Sequence, residues 1–118
     1  MGCDIHAWIV KDNKVLQAVE INRSYTSFGV LAGVRRPVEN PIAADREWPD
    51  EIYDLLESEL GWQASQLHSR SWVTLAEIQK YFKVHPELVD ECGIIFTEII
   101  PPLESAGQGA VLYFGFDN

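Results

Sequence analysis

From residue 3 to residue 10 the chain alternates. Cys3, Ile5, Ala7 and Ile9 form an apolar set, and Asp4, His6, Trp8 and Val10 form a mixed one. A period of two predicts a strand. Lys11-Asp12-Asn13-Lys14 reads as a polar turn, and Val15 to Ile21 as a second strand, so the chain opens with a β-hairpin. Asn22 or Ser24 caps a short helix carrying Tyr25, Phe28 and Leu31, which Gly33 ends. Residues 34 to 49 contain Pro37, Pro41 and Pro49 and show no period, which predicts a long loop. Asp50 opens an acidic helix with Ile52, Leu55, Leu56 and Leu60 on one stripe and Gly61 as its stop.

Trp62 to Val73 reads as a second polar loop, and Thr74-Leu75-Ala76-Glu77 as a capping box for a helix reaching about Phe82. Pro86 suits the first turn of a further helix. Cys92, Ile95, Phe96, Ile99 and Leu103 fall at helical spacing, although the β-branched run Ile94 to Ile100 also suits a strand. Helix is the reading adopted, with a kink or break at Pro101 and Pro102. Gly107-Gln108-Gly109 is a turn, and Ala110 to Phe116 an apolar, aromatic strand. These elements predict one α+β domain over residues 1–118: a small antiparallel sheet, made of the N-terminal hairpin and the C-terminal strand, with several helices packed on one face. If the first and last strands are neighbours, Asp4 and His6 come near Asp117.

Composition narrows the class. With 118 residues, 47% of them hydrophobic and 23% charged, the chain is neither disordered nor a disulfide scaffold, and its two cysteines, Cys3 and Cys92, are expected to be reduced. Asp4 and His6 interrupt any secretory leader, and no apolar run approaches the length of a membrane span, so the cytoplasm is the expected location. A net charge of −9 disfavours nucleic acid and anionic membranes as partners. The bases are segregated, however. All five arginines (Arg23, Arg35, Arg36, Arg46 and Arg70) lie between positions 23 and 70, and all four lysines lie outside that stretch. Arginine grips carboxylates and phosphates through two parallel hydrogen bonds, so the middle of the chain suits a small anion. Pairing of each arginine with a nearby Asp or Glu is the alternative.

Two clusters carry candidate chemistry. Asp4 and His6 stand two residues apart and share a strand face, suited to an oriented acid–base pair or to metal ligation. His68-Ser69-Arg70-Ser71, before the capping box, offers an imidazole, hydroxyls and a guanidinium as an anion cradle. Some phosphoesterases use paired H-x-S or H-x-T motifs. His68-Ser69-Arg70-Ser71 is the one candidate for such a motif, and His6-Ala7-Trp8 fails, having no hydroxyl. Cys3 and Cys92 fall on apolar faces and read as core. A structural zinc site is not expected, because CxxC and HxxxH pairs are absent from the sequence, whereas a hard cation at Asp4 and Asp117 stays open. The residues name no cofactor.

Five linked motifs carry a resemblance. They are Met1-Gly2-Cys3-Asp4-Ile5-His6; Arg23-Ser24-Tyr25-Thr26-Ser27-Phe28 with Leu31-Ala32-Gly33-Val34-Arg35; Pro41-Ile42 with Trp48-Pro49-Asp50; His68-Ser69-Arg70-Ser71-Trp72-Val73-Thr74-Leu75; and Phe114-Gly115-Phe116-Asp117-Asn118. Together they resemble a family of small phage and prophage proteins. Members commonly carry a second histidine where this chain has Arg70, which weakens a metal reading and strengthens an anion reading. The resemblance implies provenance, a viral gene product acting in a bacterial cytoplasm, and brings no activity with it.

The expectation is therefore a pocket that binds a small phosphorylated ligand, such as a nucleotide signal of host defence, in a counter-defence or host-modulating role. Asp4, His6 and His68 are its candidate catalytic groups, and Arg23, Tyr25, Arg35, Ser69, Arg70, Ser71 and Asp117 its candidate ligand-binding groups. Two alternatives stand beside it. One is a hydrolase or phosphodiesterase using the same Asp/His site. The other is an acidic inhibitor whose helix (Asp50, Glu51, Asp54, Glu57, Glu59) meets a basic surface of a host protein.

Overall fold

The computed structural model describes residues 2–60 and 66–117, with side chains at 59 and 60 left aside. The expected stop at Gly61, and the first part of the expected loop from Trp62, lie outside the described residues. The fold is α+β. Strands β1 (Asp4–Lys11), β2 (Lys14–Val19), β3 (His68–Val73) and β4 (Val111–Asp117) form one antiparallel sheet in the order β2-β1-β4-β3. Helices are α1 (Tyr25–Ala32), α2 (Asp50–Leu60), α3 (Leu75–Val84) and α4 (Ile100–Ala106).

The hairpin turns through Asp12 and Asn13, both left-handed (φ 52° and 60°), the backbone a two-residue turn of matching twist requires. The first and last strands pair directly, with Asp4 opposite Asp117 and His6 opposite Gly115. Val15 to Ile21 shortens at its far end, because the ladder stops at Val19.

Both sheet faces are covered, and this corrects the one-face expectation. Ile5, Ala7 and Ile9 pack with Phe114, Phe116 and Leu112 against residues of α1, α3 and α4. On the other face Trp8 and Val10, each 4% exposed, join Trp48, Leu67 and the stripe Ile52 and Leu56 of α2. Trp8 and Val10 were thus the sign of a second core behind the mixed set of β1.

The second polar loop is also corrected, because its latter part is strand β3. Its period is hidden by a bulge: His68 lies opposite Phe116 and Ser71 opposite Phe114, so three steps on β3 match two on β4. Ser71 looks polar but is buried, and backbone from a distant segment consumes it. Its Oγ accepts the Arg46 N–H (3.0 Å), and its carbonyl accepts the Trp48 indole N–H (2.7 Å). The 34–49 segment is irregular as expected, yet it is laced down along the edge of β3. Arg46 donates to the Trp72 and Ile42 carbonyls and to Glu77, and it lies over the Trp72 ring. At the other side of that loop Ile42 and Ala43 donate to Val30 and Leu31, carbonyls that the end of α1 leaves open.

The helix reading at 92–103 holds in a broken form. A short 3-10 turn (Asp90–Cys92) leads to a π turn (Ile95–Ile99) and then α4. Pro101 and Pro102 supply no N–H, and their rings would clash with the carbonyls four residues back. The chain widens, and Ile100 donates to Ile95. The capping box at Thr74 and Glu77 is present as expected, and α3 runs on to Val84.

Glu77 serves both that cap and Arg46 (2.6 Å between Arg46 Nη2 and Glu77 Oε2). The Arg46 guanidinium holds its carboxyl below the ordinary value of 4.5. A depressed folded-state value means that this stabilisation is complete above the ordinary value and fades as pH falls through the lower one. Urea titrations should show Glu77→Gln about 1–2 kcal/mol less stable at neutral pH, with the difference shrinking on acidification toward pH 3. A gap independent of pH would contradict the role given to Arg46.

Candidate functional site

The predicted residues gather at one end of the sheet, where β1 starts and β4 ends, but they divide among several settings. His6 and Asp117 meet: Nε2 and Oδ2 are 2.5 Å apart, with side chains 35% and 47% exposed. Their alternation with Trp8 and Tyr113 puts them on the α2 face of the sheet. Asp4 does not orient His6 as the sequence suggested. It turns to Arg23, whose Nε and Nη2 both donate to Asp4 Oδ1 (3.0 and 2.9 Å).

The bulge in β3 separates the histidine–serine cluster. His68 stacks on Phe116 (centroids 6.1 Å apart), whose ring belongs to the opposite face, and its Nδ1 contacts Ser69 Oγ at 3.0 Å. Arg70 falls on the α2 face. It bonds to the Leu67 carbonyl, lies over Tyr53 (5.2 Å) and packs so close to Gly115 that a Cβ there would meet its Cγ at 3.1 Å. Ser71 is interior and faces Arg46. Ser69 and Arg70 line a pocket with Trp48 and Tyr53, and the Asp4–His6 pair is not part of its lining. The pair opens instead onto a groove of about 520 Å³ lined by Asp4, His6, Glu20, Asn22 and Glu98. The widened π turn presents Glu98, which accepts from both Asn22 nitrogens (2.8 and 3.0 Å) and so fixes the approach to Arg23.

A tighter cluster surrounds the start of α1. Ser24 is the extended N-cap, and its Oγ accepts the Ser27 N–H. Gly33, left-handed at φ 74°, caps the far end, and Arg35 is left-handed too (φ 70°). These two reversals send the chain back along the helix. The return is possible because residue 29 is glycine: a Cβ there would sit 1.7 Å from the Arg36 carbonyl oxygen. Arg35 reaches Tyr25, its Cζ 5.3 Å from the ring centroid, and Arg36 Nη1 reaches Thr26 Oγ1 at 3.5 Å. The Tyr25 hydroxyl in turn accepts the Cys3 N–H at 3.2 Å. Arg23 stands just before the cap, its guanidinium against the bare Cα of Gly2.

Three of the five arginines thus surround the first turn of α1, which contains no acidic residue. Among the described residues, neither Arg35 nor Arg36 is paired with a carboxylate. Cations at the positive end of a helix oppose its dipole, so this arrangement is unfavourable until an anion joins it.

No protein-family model, curated protein or solved structure gives a significant match to the chain. The site has to be read from its own chemistry.

Arg23, Tyr25 and Arg35, singled out in the sequence, do come together. Arg36 and Thr26 complete the cluster and were missed. The usable signal was the Gly33 cap followed, one residue on, by Arg35 and Arg36, which marks a chain reversal carrying charge. Among the described residues no group of three or more His, Cys, Asp or Glu could hold a metal ion. Cys3 and Cys92 are fully buried, and burial pushes the Cys92 thiol up. No helix among the described residues is long and apolar enough to cross a membrane.

Gly29→Ala should cost about 2–3 kcal/mol in thermal or urea unfolding, because the Arg36 backbone has to move away from α1. A loss below about 0.5 kcal/mol would show that the 35–36 segment is not seated as described.

Proposed function

We propose that the protein binds a small phosphorylated ligand at the first turn of α1, with Arg35 and Arg36 supplying charge, Thr26 and Ser24 lying alongside, and Arg23 at the margin. One observation carries this reading. In a chain of net charge −9, three arginines converge on a helix N-terminus, and two of them have no carboxylate partner among the described residues. Guanidinium groups match phosphate oxygens in geometry and in charge. Arg46, by contrast, is bound up with Glu77 and the backbone, and it takes no part. The resemblance to small phage and prophage proteins supports a bacterial cytoplasm as the setting, where phosphorylated metabolites and nucleotide signals are the natural ligands of such a site.

A hydrolase is the second reading. The close contact of His6 with Asp117, facing the groove that also holds Asp4, favours it: a carboxylate-oriented imidazole is an acid–base device. It places chemistry beside the arginines, since Asp4 touches Arg23 on one side and lies opposite Asp117 on the other.

Calorimetry with inorganic phosphate, pyrophosphate and AMP tests binding. The expected result is salt-sensitive affinity, weakened about ten-fold (~1.4 kcal/mol) by Arg35→Ala and again by Arg36→Ala, and changed less than two-fold by His68→Ala. Affinity that survives the double substitution at 35 and 36 would refute the site. Product release from a phosphoester, lost in His6→Ala, would decide for the hydrolase.

A further inference from the structure

We infer that Asp4 is a built-in competitor at this anion site, a carboxylate of the chain itself that occupies the Arg23 fork until a phosphate displaces it. The inference rests on the anion-binding reading above and adds its regulation. Arg23 spends two donors, Nε and Nη2, on a single oxygen of Asp4, and those donors make up the edge with which a guanidinium grips a phosphate. The group is held in place for the exchange. Its Nη1 lies where a Gly2 Cβ would come within 2.2 Å, so the guanidinium rests flat against the backbone at residue 2.

The pair is also easily opened. The Arg23 and Asp4 side chains are 48% and 53% exposed, and exposed pairs of this kind are weak and exchangeable. Opening it has a consequence across the sheet. Asp4 stands directly opposite Asp117, whose own charge is answered by His6. An Asp4 released from Arg23 faces a like charge on the neighbouring strand, which is unfavourable, and the contact tends to close again. A ligand with two negative charges can outbid this carboxylate for Arg23 more readily than one with a single charge. The contact therefore sets a charge threshold for entry.

The test is calorimetric titration of the full chain with inorganic phosphate and with pyrophosphate, using wild type, Asp4→Asn, Arg23→Ala, the double variant, and Asp12→Asn as a control at the opposite end of β1. Asp4→Asn is expected to tighten phosphate binding about three- to ten-fold, more at low salt than at high. The gain should vanish when Arg23→Ala is added, and Asp12→Asn should change affinity less than two-fold. Unchanged or weaker binding in Asp4→Asn overturns the inference, as does equal tightening in Asp12→Asn, which would make the effect one of net charge. Binding that depends on Arg35 and Arg36 but ignores Asp4 sinks this inference alone. No binding by any variant, Asp4→Asn included, sinks the anion site and the inference together.

Discussion

The pairing of β1 with β4 is the constraint on which the site depends. It is a central ladder, and its register puts Asp4 against Asp117 and the His6 position against a glycine. Two carboxylates side by side across a ladder are unfavourable unless each is answered. Here each is: Arg23 comes from the segment after β2 to meet Asp4, and His6 reaches across to Asp117. Gly115 leaves the room that Leu67 and Arg70 fill, since a Cβ there would come within 2.8 Å of Leu67. A slip of one residue would carry His6 to the other face and dissolve all of these contacts at once.

The second organising contact is the attachment of the 42–48 segment to β3. Strand edges expose unpaired backbone groups, and β3 has its edge occupied by Arg46 and Trp48. The segment thereby becomes part of the scaffold. One of its ends is tied to the carbonyls that close α1, and the other passes into α2 through Trp48, which is buried against Trp8, Tyr53 and Tyr113. With both of its ends secured, α1 becomes a firm base for the arginines that fold back along it.

Much of the fold was legible because the relevant signals are local. The alternation from Cys3 to Val10, the Thr74–Glu77 box and the Gly33 cap each describe a few neighbouring residues, and each appears where expected. The neighbouring of first and last strands entered only as a condition, and the ladder from Asp4–Asp117 to Val10–Val111 meets it. The failures share a different cause. His68 to Val73 looked like a polar loop because Ser71 satisfies a distant backbone and because one inserted residue breaks the period. The second core was missed because Trp8 and Val10 share their side of β1 with Asp4 and His6, so that the set reads as mixed and not as half of an apolar face. The candidate site regrouped for a related reason. Residue types named the right arginines, but side-chain direction, fixed by a bulge and by two left-handed residues, decided which groups meet.

The position of β4 bears on how the molecule assembles. It is the latest of the four strands in chain order, yet it occupies the middle of the sheet, between the earliest strand and β3. The hairpin can close early, but the ladder that aligns Asp4, His6 and Asp117 joins segments more than a hundred residues apart, 111 in the case of His6 and Asp117. Closing so large a loop slows folding, and through that interval the apolar sides of β1 and β3 wait without their shared neighbour. A nascent chain of this kind stays incomplete, and open to chaperones, until its last strand has left the ribosome.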